Sequence, residues 1–152
     1  MHDRLSLTAF TNEKEEPVKG YLTDIEEATV KNSLYRQVLF TAKHTQLVLM
    51  SLKPGEEIGE EVHDLDQFIR FEAGNGNVVL DGQNHPVQDG VAVVIPAGTR
   101  HNVINTSQDT DLKLYSLYSP PEHKVGTMHR TKKDADADHD HHFDGRTSLD
   151  RK

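Results

Sequence analysis

The 152-residue chain is long enough for one domain with its own core and short for two ordinary ones. Its 17 Lys and Arg against 25 Asp and Glu give a formal net charge of -8, which argues against a general nucleic-acid or anionic-membrane binder, whose footprint is basic. The absence of cysteine excludes disulfides, a thiolate nucleophile, thiolate zinc sites and iron–sulfur clusters, and leaves ten histidines as the strongest class of metal ligand in the chain.

No run approaches the length of a membrane-spanning helix. The start, MHDRLSLTAFTNEKEE, lacks the apolar block of a signal peptide. A soluble cytoplasmic protein is the expectation. Apolar residues are unevenly spread: 35 of the 87 residues from 34 to 120, but only 17 of the other 65. The middle therefore carries the core, between an N-terminal arm over 1–33 and a polar C-terminal arm over 121–152.

In chain order, 5–10 reads as a strand, and 21–30 fits a helix or a strand equally well. The middle then offers short segments rich in Val, Ile, Leu and aromatics at 34–41, 45–52, 67–73, 77–80, 91–95 and 112–118. Turn signals separate them: Lys53-Pro54-Gly55, Gly74-Asn75-Gly76, Asp81-Gly82, Asp89-Gly90 and Pro96-Ala97-Gly98. Asp81-Gly82 suits the tight turn of a hairpin spanning 77–88, because glycine accepts a positive φ. Evenly spaced short strands indicate an all-β antiparallel sandwich or barrel. Beyond it, Thr131 is placed to cap a short helix from 132 to about 139. The tract 134–144, DADADHDHHFD, is expected to fray or be disordered.

Two motifs carry the chemistry. The first is Gly55-x5-Glu61-x-His63-x3-Gln67-x6-Gly74. Glu61 and His63 share a face if that segment is extended, and Gln67 has the same parity. The second is Gly90-x5-Pro96-x-Gly98-x2-His101-x3-Asn105, in which a tight turn delivers His101 to the start of a strand. Two antiparallel strands would aim Glu61, His63, Gln67 and His101 at one point. Two imidazoles, a carboxylate and an amide oxygen can form the shell of a divalent transition metal. Asn105 reads as a turn or backbone-bonding residue.

The two motifs resemble the paired signature of the cupin superfamily, G-x5-H-x-H-x3-4-E-x6-G followed by G-x5-P-x-G-x2-H-x3-N. The second is matched at every fixed position. The first is matched in spacing and in both glycines, with Glu61 where the family has its first His and Gln67 where it has Glu. The resemblance covers about 34–120, and the whole chain is similar to small single-domain cupins described as mannose-6-phosphate isomerase-like. It implies a jelly-roll β-barrel of six to eight strands with the metal inside its mouth. It also implies Glu61, His63, Gln67 and His101 as the metal ligands. Glu61, His63 and His101 then have the count of a two-His, one-carboxylate triad, with Gln67 a weaker fourth ligand or an orienting neighbour. The carboxylate lost at 67 is regained at 61.

Three functions follow. The first is a metalloenzyme acting on a small molecule in isomerase-, decarboxylase- or dioxygenase-like chemistry. The second is a non-catalytic cupin binding a small carboxylate or sugar. The third is a metal-free structural dimer. Fe, Mn, Ni and Zn are not distinguished, and no catalytic residue is assigned. A small-molecule ligand and a homodimer are expected, with no nucleic-acid or membrane partner. Leu49, Ile69, Phe71, Val93 and Val103 are the expected inward apolar set. Tyr35, Arg70, Arg100 and Tyr115 are weighed as pocket residues, Arg70 facing outward and Arg100 facing outward or at the rim. His44 and His85 read as surface histidines, His123 and His129 as residues beyond the barrel that stay on the surface or, alternatively, fold over its mouth, and His139, His141 and His142 as a solvated tail.

Overall fold

The computed structural model describes residues 19–150, which form nine strands and two short helices. Helix α1 (Ile25–Lys31) precedes strands β1 (Arg36–Thr41), β2 (Gln46–Leu52), β3 (Asp66–Ala73), β4 (Asn75–Leu80), β5 (Gln83–Gln88), β6 (Ala92–Ile95), β7 (His101–Asn105), β8 (Leu112–Ser119) and β9 (Met128–His129), and helix α2 (Lys132–Ala137) follows. Every strand pairing is antiparallel. A six-stranded sheet runs β6-β3-β8-β2-β1-β9, and a three-stranded sheet runs β5-β4-β7. The two sheets pack face to face, as the expected jelly roll requires. The possible strand at 5–10 lies outside the described residues. None of the described helices is long and apolar enough to cross a membrane.

Turn chemistry fixes the frame. Asp81 and Gly82 both have positive φ, and Leu80 pairs directly with Gln83 across them. A two-residue turn with positive φ at both positions matches the twist of the strands it joins. β5 is almost wholly exposed and contains Pro86, as an edge strand tolerates, so its apolar signal in the sequence is weak. Gly74 also has positive φ, and a side chain there would collide with the backbone of Asp111. Between 73 and 75 the chain passes from one sheet to the other.

The core lies between the sheets. Val48, Met50 and Leu52 from β2, Ile69 and Phe71 from β3, and Leu112 and Leu114 from β8 meet Val78 and Val103 from the smaller sheet. Val93 packs against this cluster half-buried. Leu49 corrects the inward set. It is buried, but with the opposite parity to Val48 and Met50. It therefore belongs to the outer face, where α1 runs against β2, β3 and β8. The ambiguous segment 21–30 thus resolves into a helix, started by the Asp24 side chain accepting from the Glu27 amide at 3.1 Å.

The C-terminal residues fold back over the barrel mouth. Thr131 caps α2 as its sequence position predicts, its side chain accepting from the Asp134 amide at 3.0 Å. The tract expected to fray instead holds this helix and a segment whose backbone pairs with 122–124. A buried glutamine ties it down. Gln46 Nε2 donates to Thr41 Oγ1 (2.8 Å) and to the His123 carbonyl (2.7 Å). Its Oε1 accepts from the amides of Glu122 (3.2 Å) and His123 (3.0 Å). Three of its four bonds dock the segment, and the bond to Thr41 holds the side chain against β1.

Candidate metal centre and adjoining cavity

Glu61 and His63 sit on an irregular segment and not on a regular strand. Its shape comes from a single antiparallel bridge, in which the Glu61 amide donates to the His101 carbonyl (2.8 Å) and the His101 amide donates back (2.9 Å). The Gly98 amide, in the turn that leads to β7, donates to the His63 carbonyl at 2.8 Å. These bonds bring one ligand atom each of Glu61, His63 and His101 within 4.8 Å of one another. The His63 and His101 rings are 5.2 Å apart.

His101 is set up to offer a lone pair. Its Nδ1 lies 2.8 Å from the Thr99 carbonyl oxygen, which can only accept, so Nδ1 carries the hydrogen. In the neutral ring this leaves Nε2 as the acceptor, and Nε2 is buried without a partner. A backbone carbonyl holding one ring nitrogen so that the other can bind metal is the usual arrangement around a ligating histidine. Gln67, on β3, is also buried. Its Nε2 donates to Ser116 Oγ at 3.2 Å, while Oε1 has no partner. The residues therefore fit a metal ion: the buried, unpartnered Nε2 of His101 stands with a carboxylate and a second imidazole.

His63 faces carboxylates on both sides. Its Nε2 is 3.1 Å from Glu61 Oε1, and its Nδ1 is 3.7 Å from Glu122 Oε1. Burial alone would lower the His63 pKa, but the bond to Glu61 and the charges of both carboxylates outweigh it and raise the value. Burial works the other way on Glu61, and the His63 bond with the charges of His63, Arg36 and His101 leaves its pKa lowered. Glu122 is pushed up by burial against the pull of His63 and His142.

A cavity of about 430 Å3 opens beside Glu61 and His63, with Tyr35, Arg36, Tyr118 and Glu122 among its walls. Burial raises the pKa of both tyrosines, so their phenols stay protonated. His123, Asp136, His141 and His142 from the C-terminal segment complete the mouth. His101 and Gln67 do not line this cavity. His101 borders a smaller one of about 190 Å3 with Glu60 and Arg100.

Sequence reasoning missed part of this. Arg36, Tyr118 and Glu122 went unremarked, and of the four weighed pocket residues only Tyr35 lines the large cavity. Arg70 pairs with Glu72 (3.3 Å) and Arg100 with Glu60 (3.4 Å), both partly exposed, in keeping with outward placement. Tyr115 shares the outer face with Lys113. His44, His85 and His139 are exposed as expected.

His123 and His129 are corrections: they are 2% and 4% exposed, because the segment expected to be solvated packs over the barrel. His141 is corrected with them. It is half-buried, its ring stacks on His123 with centroids 5.1 Å apart, and the two Nδ1 atoms lie 3.0 Å apart. Asn105 is a structural residue. Its amide nitrogen donates to the carbonyls of Leu52 (3.0 Å) and Thr110 (2.9 Å).

Comparison with known proteins agrees with this architecture. The Cupin domain family (Cupin_2) matches residues 48–118. The uncharacterized protein YrkC of Bacillus subtilis is 49% identical over 129 residues, covering 80% of this chain and 69% of that protein. An uncharacterized protein of Acanthamoeba polyphaga mimivirus is 49% identical over 113 residues, covering 71% of this chain and 70% of its own. A crystal structure of a Bacillus halodurans protein superposes with a TM-score of 0.75 at 42% identity, covering 85% of this chain and all of the other. The paired motifs, the jelly roll they shape and the family match agree, and the chain belongs to the cupin superfamily.

Proposed function

We propose that the protein is a metal-dependent cupin that holds a divalent transition metal with Glu61, His63 and His101, with Gln67 as a weaker fourth ligand, and acts on a small molecule in the adjoining cavity. The observation that carries this reading is the buried, unpartnered Nε2 of His101, its tautomer set by Thr99, beside a carboxylate and a second imidazole. A bound ion would supply Lewis acidity, and iron would add dioxygen chemistry. The chain's own groups would do the rest. Tyr35 and Tyr118 keep their protons and act as hydrogen-bond donors to a ligand. Glu122, close to His63 Nδ1, fixes the orientation of that ring. The reaction belongs among the isomerase, decarboxylase and dioxygenase types.

Metal analysis of protein purified without an affinity tag tests this reading. About one equivalent of a single transition metal is expected, falling below a tenth in Glu61→Ala and His101→Ala variants that keep the wild-type circular dichroism spectrum. Wild-type protein that takes up no Fe, Mn, Ni or Zn after chelation and reloading would refute it. The reading includes a cytoplasmic homodimer, for which the open edge at β6, with Val94 exposed, offers a pairing surface. A monomeric mass by light scattering would remove the dimer and leave the metal site standing.

A further inference from the structure

We propose that Arg36 is the anchor for a carboxylate group on the protein's small-molecule ligand. Arg36 opens β1 with the parity that turns Val38 into the barrel, and it is only 6% exposed. Arg36 lines the large cavity together with Glu61 and His63. An arginine is charged at any physiological pH. A buried charge is costly unless an opposite charge accompanies it. Here the neighbours are neutral or already engaged.

Arg36 Nη1 donates to His129 Nδ1 at 3.0 Å. That nitrogen is an acceptor, since His129 Nε2 donates to Asp138 Oδ2 at 2.9 Å. The Tyr35 ring lies 5.3 Å from the guanidinium carbon. Nε is buried and has no partner. Among the described residues no carboxylate forms an ion pair with this side chain, although Glu61 and Glu122 share its cavity. Glu61 is bonded to His63, and Glu122 lies between His63 and His142, at 3.7 and 3.4 Å. His123 and His141, packed near Arg36, are held neutral by burial and by its charge. Glu61 and Glu122 act on Arg36 only at a distance, and the ligand supplies the carboxylate in direct contact.

The chemistry favours a carboxylate over a phosphate. A guanidinium fork fits a carboxylate and a phosphate alike, so charge decides between them. A phosphate dianion would bring twice the charge past Asp64, Glu122 and Asp136, which line the same cavity. The proposal deepens the functional reading, resting on it for this cavity as the ligand site. Recognition of the anion by Arg36 does not itself require the metal.

The test is calorimetric titration of the full chain, metal-stripped and Mn2+-loaded, with malonate, inorganic phosphate and glucose as probes. Wild-type protein is expected to bind malonate saturably, phosphate at least tenfold more weakly and glucose not at all. Arg36→Gln is expected to weaken malonate at least tenfold while metal stoichiometry stays at one. Arg36→Lys, which keeps the charge but not the fork, is expected to lose about threefold or more, and it carries the test should Arg36→Gln fail to fold. Malonate binding unchanged in a folded variant overturns the anchor, as does phosphate binding as tight as malonate. Absence of malonate binding to the wild type overturns it without any variant. The metal reading fails separately: protein that binds malonate through Arg36 yet takes up no metal keeps the anchor and loses the metal centre.

Discussion

The two walls of the large cavity are built by opposite means. On one side, Glu61 and His63, with His101 behind them, are delivered by turns and one antiparallel bridge at fixed sequence spacing. On the other, Glu122, His123 and His141 arrive on a distant C-terminal segment docked on β1 and β2 by Gln46 and by the short pairing of β1 with β9. Local backbone geometry holds the first wall, and long-range backbone pairing with the bonds of one buried glutamine holds the second. A substitution can therefore remove the mouth while sparing the metal ligands.

Gln46→Leu is the strongest way to break that comparison. It strips partners from two amides and one carbonyl of the docked segment inside the protein, at an expected cost of about 2–3 kcal/mol in denaturant unfolding. Hydrogen exchange should show lost protection at 122–124 with protection at 101 and 103 retained, and metal stoichiometry should not change. Equal loss of protection in both regions would mean that the two walls are one cooperative unit.

Acid provides a smaller perturbation of the same wall. The pKa of His123 is driven below the ordinary 6.5, first by burial and then by Arg36. Its folded-state value is thus lower than its unfolded one. This contribution to stability is full above about pH 6.5 and is lost as pH falls below it, because only the unfolded chain takes up the proton. The slope from this one group is at most about 1.4 kcal/mol per pH unit. Urea midpoints between pH 7.5 and 5.5 should fall in the wild type and fall less in His123→Gln. Parallel curves for the two proteins would assign the acid sensitivity elsewhere.

The same contrast separates what could be read in the sequence from what could not. The turn at Asp81-Gly82, the delivery of His101 by Pro96 and Gly98, and the Thr131 cap are local devices, and each leaves a local signature. Glu61 and His63 were identifiable by spacing, although their segment is irregular and not the expected strand. Arg36 left a fainter trace. It shares the inward parity of Val38, yet a charge at the start of an apolar run resembles a strand edge. Nothing near Gln46 in the sequence indicates that its partners lie at 122 and 123. The burial of His123 and His129 follows from that docking, so a polar, His- and Asp-rich composition pointed the wrong way. Periodicity reports which face a residue takes within its own strand. It does not report a cover supplied from far along the chain.

The docking of the closing segment on β1 and β2 has a consequence for how such a barrel can diversify. The residues that shape the mouth beyond 120 share few bonds with those that shape the floor. Changes in the closing segment can re-cut the outline of the ligand while His101, Phe71 and the hairpin at Asp81-Gly82 stay fixed. The strands then act as a constant chassis and the folded-back tail as an interchangeable fitting, joined along β1 and at the Gln46 side chain.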